Sequence, residues 1–324
     1  MQDEGALRIP EQIIPVPASI SPQGQAFLAG AGKRIAAQAD ANTPPPSQAD
    51  QAAFALQFLR PAAGQFSGSF DTIVLPSGAK LYRAAPDRRS GRKAEVAFFD
   101  IHGGAFVAGG GEMCELLCKI RAAGYGITVY AIDYRLAPDH VFPAALDDCM
   151  AAYREVLAQV DAPNLVVGGA SAGGNLAAAM LLRARDEGLP LPAGLVLMTP
   201  AMDMTQSGDT YRTNRYLDVT LYGGASEGPD SYVGGGDRTN PYLSPLFGDF
   251  TKGWPPTILT SGTRDLLLSD TVQIHRKLRR VGVQAELHVT EAGPHGGFMG
   301  QAPEDQEVLG ECKRFMFAAL GIED

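Results

Sequence analysis

The chain is short of positive charge. Its 27 Lys and Arg are outnumbered by 36 Asp and Glu, which leaves a net charge of −9 and a pI near 5.1. A nucleic-acid surface needs clustered cations facing the phosphates, so the balance argues against that class of partner. The main basic run, "DRRSGRK" at 87–93, falls between two expected strands and reads as a solvated loop. Long apolar runs are missing too. None approaches the ~18 residues that a membrane-spanning helix needs, so no membrane partner is expected. The opening "MQDEGALRIPEQ" is acidic and lacks the basic region and apolar stretch of a signal peptide. Cysteine is scarce: Cys114, Cys118, Cys149 and Cys312 form no CxxC pair. A chain of this length does not depend on a disulfide framework, so these read as buried thiols in a reducing, cytoplasmic setting.

What the chain does have is enough apolar residue, 45%, to bury a substantial core. Its 324 residues fit two average domains or one large α/β domain with an insertion. Short β-rich runs recur: "FDTIVL" and "AKLYRA" around a Pro76-Ser77-Gly78 turn, then "EVAFFDI", "ITVYAID", "NLVVGG", "GLVLMT", "PTILTSG" and "AELHVT". Several are apolar throughout, as strands covered on both faces of a parallel sheet must be. Between them, residues 144–160 place Leu146, Cys149, Met150, Tyr153 and Leu157 on one helical face, and residues 303–320 do so with Val308, Cys312, Phe315 and Ala319. The alternation predicts a doubly wound, mainly parallel α/β sheet. Two segments break the rhythm. Residues 1–65 hold two helical patches around Pro44-Pro45-Pro46, and residues 201–250 are polar and glycine-rich, including "YGGASEGPDSYVGGG". Both are expected to pack over one end of the sheet as a cap, with core at 66–200 and 251–324.

Ligands of such sheets bind beyond the carboxyl ends of the strands, so reactive residues just after strands matter most. Gly169-Ala170-Ser171-Ala172-Gly173 fits G-x-S-x-G between a strand and a helix. A sharp turn there would push the Ser171 hydroxyl out of the chain and aim the Ala172 N–H at developing negative charge. The other reading is a flexible small-residue loop. In "DIHGGAFVAGGG" the Gly103 and Gly104 N–H groups can face a reacting carbonyl without side-chain obstruction, unless this is only a tight turn. In the serine–acid–histidine order that goes with this turn, the base follows the serine, leaving His275, His288 and His295. His275 lies on a helix flank and His288 within a strand, whereas His295 in "EAGPHGGF" occupies a glycine-rich loop after one. Asp265 follows "PTILTSG" by two residues, and nearby Asp270 reads as a helix N-cap. The expected nucleophile, acid and base are Ser171, Asp265 and His295.

These residues together resemble the bacterial esterases related to hormone-sensitive lipase, within the α/β-hydrolases. "IPVPASISPQGQAFLA" resembles that family's amino-terminal cap, "HGGAF" its HGGG box, and "DYRLAPDHVFPAALDD" its most distinctive stretch. "NPYLSPL" with "WPPTILTSGTRDLLLSD" resembles the segment of the acid, and "HVTEAGPHGGF" that of the histidine. The resemblance implies an α/β-hydrolase fold with a helical cap and a serine esterase acting on small to medium acyl esters. It implies an oxyanion hole from Gly103, Gly104 and Ala172, with "DYRLAPDH" supporting it and Asp133 and Arg135 behind the reacting groups. Phe106, Tyr211, Tyr216 and Tyr222 are the apolar and aromatic candidates for the substrate pocket. No cofactor or metal is expected. A homodimer is common in such a family, although no apolar patch in the sequence marks an interface. Departures are Ala170 in place of Asp, Glu or Thr, Ala105 in the box, Leu266 where proline is common, and the doubled Gly296-Gly297. Amides, lactones and acyl transfer use the same apparatus, and a non-catalytic small-molecule receptor can share the fold.

Overall fold

The computed structural model describes residues 13–41, 47–87, 95–224 and 228–322. The first twelve residues, the Pro44–Pro46 spacer, all of the basic run except Asp87, and residues 225–227 of the glycine-rich stretch lie outside the described residues. Eight strands fall on the eight β-rich runs: β1 (Gly68–Val74), β2 (Lys80–Pro86), β3 (Ala97–Ile101), β4 (Thr128–Asp133), β5 (Leu165–Ala170), β6 (Gly194–Met198), β7 (Thr257–Gly262) and β8 (Ala285–Thr290). They form one sheet in the order β1-β2-β4-β3-β5-β6-β7-β8. β1 and β2 make the expected hairpin, β2 runs antiparallel to β4, and every pairing from β4 to β8 is parallel.

Period-two alternation divides the core between two faces. Phe99, Tyr130, Val167, Leu197 and Leu259 pack with α4 (Ala144–Leu157), α5 (Ala172–Asp186) and α8 (Leu268–Arg280). Their neighbours Phe98, Val129, Val166, Val196 and Ile258 pack instead with α3 (Glu112–Tyr125) and α9 (Pro303–Leu320). With both faces covered, neither can be polar, which explains the unbroken apolar runs. On α4 the spacing holds: Leu146, Cys149, Met150 and Tyr153 are buried and Leu157 partly so. On α9 Cys312 and Phe315 are buried, while Val308 and Ala319 are only half covered. The four cysteines are buried free thiols.

Outside the sheet, α1 (Pro22–Ala41) and α2 (Gln48–Ala63) go to different places. Ile20 and Leu28 at the α1 end pack against Ala292, Phe298 and Ala302, with Phe27 and Val219 at the edge of the same cluster. The Ser21 N–H and hydroxyl both donate to the Glu304 carboxylate at the start of α9. α2 lies along α3, where Arg60 pairs with Glu112. Residues 201–250 contain only two short helices, α6 (Thr210–Thr213) and α7 (Gly228–Val233), and a single 3₁₀ turn among the described residues.

Candidate active site

β3 and β5 are neighbours in the sheet although the chain visits β4 between them. That reversal makes their carboxyl ends the switch point of the sheet, where the two following loops open a crevice. The loop after β3 carries Gly103 and Gly104, and the turn after β5 carries Ser171. Ser171 sits at φ 56° and ψ −119° immediately before α5, a strained backbone for any residue with a side chain. The turn closes only because its neighbours are small: a Cβ at Gly173 would stand 1.9 Å from the Ile101 carbonyl oxygen. Gly104 is equally constrained, at φ +114° with a Cβ position 2.2 Å from the Ala108 carbonyl oxygen. The N–H groups of Gly103, Gly104 and Ala172 donate to no acceptor among the described residues, which leaves all three free for a ligand.

The glycine loop is braced from β4. The Tyr134 ring stacks on His102 with centroids 4.1 Å apart, and its hydroxyl donates to the His102 carbonyl at 3.0 Å. Burial lowers the His102 pKa, so its imidazole is neutral, with Nδ1–H donating to the Gly103 carbonyl at 2.7 Å. Asp133 accepts from the Gly111 N–H. Arg135 does not reach this loop. Its guanidinium grips Asp148 on α4 through two nitrogens, and the chain meets the loop again at Ala137, whose N–H donates to the Phe106 carbonyl at 3.0 Å.

The other two candidate residues come from the far side of the sheet. His295, on the loop after β8, stands with Nε2 2.9 Å from Ser171 Oγ and Nδ1 3.0 Å from Asp265 Oδ1. Asp265, on the loop after β7, is fully buried; Oδ2 accepts from the Ser261 hydroxyl at 2.7 Å and Oδ1 from the Leu267 N–H at 2.9 Å. Burial works to lower the His295 pKa, but the charge and hydrogen bond of Asp265, helped by Asp218, outweigh it and leave the pKa raised. The doubled glycine does not displace the histidine: Gly296 and Gly297 both take positive φ and absorb the extra residue as a turn. His275 and His288 lie elsewhere, on α8 and β8.

The sequence did not mark the residues that hold these loops together. Asn214 donates to the carbonyls of Thr263 and Asp265, and the Thr210 hydroxyl to that of Leu266. Asp218, fully buried, accepts the Leu266 N–H at 2.8 Å and the His295 N–H at 3.3 Å. Its only sequence signal is an Asx turn, the acceptance of the Thr220 N–H two residues on. Asp270 is not the N-cap of α8. The helix begins earlier, at Leu268, so the carboxylate projects from its first turn and accepts the N–H groups of Met202 and Asp203 instead.

Beside Ser171 lies a cavity of about 40 Å³ whose wall includes Ala105, Phe106, Met204, Tyr211, Leu221 and Leu267. Phe106 and Tyr211 therefore stand beside Ser171. Tyr216 and Tyr222 do not. They are 64% and 47% exposed, their rings pack against each other, and Arg215 lies over Tyr216 on the outer surface. A larger cavity of about 230 Å³ lies behind the histidine loop, between Ala170, Gly296, Gly297 and the α9 residues Val308 and Leu309. Ser171 is not on its wall, so the small cavity is the one that faces the hydroxyl.

Residues 98–299 match the α/β-hydrolase fold family. The chain is 31% identical to an esterase of Acinetobacter venetianus over 68% of its own length and 75% of the relative's. It is 32% identical to the esterase LipI of Mycobacterium tuberculosis, covering 72% of this chain and 75% of that one. Among solved structures, esterase E25 superposes with a TM-score of 0.80 at 32% identity, over 97% of this chain and 99% of that chain. An esterase of the bacterial hormone-sensitive lipase family superposes at 0.75 with 27% identity, over 93% and 99%. Among the described residues, no helix is long and apolar enough to cross a membrane.

Proposed function

Because the chain belongs to the α/β-hydrolases, among the hormone-sensitive lipase-like bacterial esterases, and is a serine carboxylic ester hydrolase, we propose that Ser171 is its nucleophile, His295 its base and Asp265 the orienting acid. One observation carries the assignment: an unbroken hydrogen-bonded path runs from Ser171 Oγ through both ring nitrogens of His295 to the buried Asp265. Ser171 Oγ attacks the ester carbonyl while its proton passes to His295 Nε2. The carbonyl oxygen, now anionic, is received by the N–H groups of Gly103, Gly104 and Ala172. Collapse of this intermediate breaks the bond to the alcohol oxygen, which takes the proton from His295 and leaves. Water then surrenders a proton to His295 and attacks the acyl-enzyme, and the proton returns to Ser171 as the acid departs. Asp265 fixes the imidazole with its proton on Nδ1 and supports the charge that the ring carries at each tetrahedral stage.

The substrates are small to medium acyl esters, and the small cavity beside Ser171, walled by Phe106, Tyr211, Met204 and Leu267, suits a short acyl group. We also propose that α1 and residues 201–250 form the cap, a reading supported by their meeting over the histidine loop at Phe298 and Val219. A cytoplasmic location is supported by the four free thiols. Homodimer formation rests on the family resemblance alone.

The test compares wild type and Ser171→Ala on p-nitrophenyl acetate, butyrate and octanoate. The expected outcome is loss of at least ~10³ in kcat, since the residue forms the covalent intermediate. A variant that keeps wild-type turnover would move the nucleophile elsewhere.

A further inference from the structure

We infer that Asp218, a carboxylate from the 201–250 segment, is a positioning residue that joins the acid and base loops and adds a second negative charge behind His295. The inference rests on the triad proposed above. Four N–H groups converge on this one side chain: Thr220 and Leu221 from its own turn, Leu266 next to the orienting acid, and His295 itself. Asp218 has no solvent exposure, and every one of these contacts is a donor, the environment of an ionised carboxylate, which can only accept. The loops after β7 and β8 also meet directly at their roots, where the Arg264 N–H donates to the Gly293 carbonyl and the Ala292 N–H to the Thr263 hydroxyl. Asp218 adds a bridge further out, taking an N–H from Leu266 beside the acid and from His295 itself, so it helps to set the spacing between Asp265 Oδ1 and His295 Nδ1. Leu266 matters here because its backbone has a hydrogen to give. A proline at this position would leave Asp218 Oδ2 with only the longer His295 contact.

The same placement has an electrostatic consequence. A buried negative charge hydrogen-bonded to the backbone of His295 favours the imidazolium that forms in each tetrahedral stage. The charged and titratable groups around the ring are few. Asp265 faces Nδ1 from the β7 loop and Asp218 faces the backbone from the cap segment. On α9, Asp305 accepts from the Phe298 and Ala302 N–H groups further along the chain. Arg264 turns outward to the Pro15 carbonyl. Burial raises the Asp218 pKa from its ordinary value, with His295 and the Leu266 N–H acting against that rise. Asp218 in turn contributes to the raised pKa of His295.

The experiment measures kcat and KM for p-nitrophenyl butyrate across pH 5–9 in wild type, Asp218→Asn, Asp218→Ser and Asp218→Glu. Removing the charge is expected to lower kcat about tenfold with KM within about twofold, as for a group that supports the transition state and not the bound substrate. The acid limb of the kcat/KM profile is expected to move to lower pH in Asn and Ser, because an imidazole without its second anion loses its proton more readily. Asp218→Glu, which keeps the charge, is expected to hold the acid limb in place. A residue that only packs would change the yield of folded protein and leave the acid limb unmoved. An unmoved limb with kcat within twofold in the uncharged variants overturns the inference. If neither uncharged variant folds, wild type is followed by NMR. The amide signals of Thr220 and Leu266 are expected to shift at the pH where His295 titrates, and silent signals overturn the inference. Failure of the triad reading is distinguishable, because Ser171→Ala would then retain activity whatever Asp218 does.

Discussion

At the scale of single residues, two buried aspartates a short distance from the proposed triad differ in how fully their oxygens are hydrogen-bonded. Asp218 is surrounded by donors on both oxygens. Asp270 is not: Oδ2 accepts from Met202, Asp203 and the Tyr211 hydroxyl, while buried Oδ1 has no partner among the described residues. Burial raises its pKa to about 8, against the pull of the Met202 and Asp203 N–H groups. The folded chain therefore keeps a proton that the unfolded chain loses above the ordinary carboxylate range. Stability from this site is fully present at low pH. It declines as pH rises toward about 8, by up to ~1.4 kcal/mol per unit, and levels off beyond. Asparagine has the same shape, can accept the same N–H groups, and does not titrate. Urea titrations at pH 5, 6, 7 and 8 are expected to show Asp270→Asn gaining on wild type with each step. A constant difference across that range would mean that Asp270 is ionised throughout.

At the scale of elements, what could be read in advance follows from where the information lies. All eight strands and the faces of α4 and α9 were legible because period and burial are local properties of a run of residues. That Ser171, Asp265 and His295 come together was legible for a related reason: each lies a few residues beyond a strand end, and a parallel sheet brings those ends together whatever the details. Asp218 was not legible. Its partners Leu266 and His295 are 48 and 77 residues away, and backbone N–H groups leave no mark on the sequence. The aromatic candidates divide for another reason. Phe106 and Tyr211 are fixed by buried backbone near Ser171, whereas Tyr216 and Tyr222 fall on an outer turn, and residue type does not encode direction. Asp270 was misread because a Ser-Asp pair before an amphipathic run resembles a helix start, while the true start lies before it.

The same scale carries a prediction about α1. Its hold on the histidine loop depends on a small apolar cluster and on the Ser21–Glu304 hydrogen bonds. Leu28 is 3% exposed there, so Leu28→Ala removes buried methyl groups at a cost of roughly 2–4 kcal/mol to that contact. Limited proteolysis is expected to cut the amino-terminal segment faster in the variant, with KM for the p-nitrophenyl esters raised more than kcat is lowered. Unchanged cleavage and KM would show that α1 does not help to shape the substrate's entrance.

At the scale of the whole molecule, the two core layers enclose chemistry that catalysis does not use. Cys149 belongs to the layer of α4, α5 and α8, and Cys114, Cys118 and Cys312 to the layer of α3 and α9. Burial pushes all four thiols up, Cys118 and Cys312 to about 12. A thiol reagent attacks thiolate and needs access, and the folded chain offers neither. Because the cysteines are distributed over both faces of one continuous sheet, their exposure reports whether the layers open together or separately. With DTNB the native enzyme is expected to keep its esterase activity and react negligibly over the time of an assay. All four thiols are then expected to react along a single transition in urea, at the midpoint seen by circular dichroism. Release of the three α3/α9-side thiols ahead of Cys149 would instead show that this layer opens by itself while the α4, α5 and α8 face stays closed.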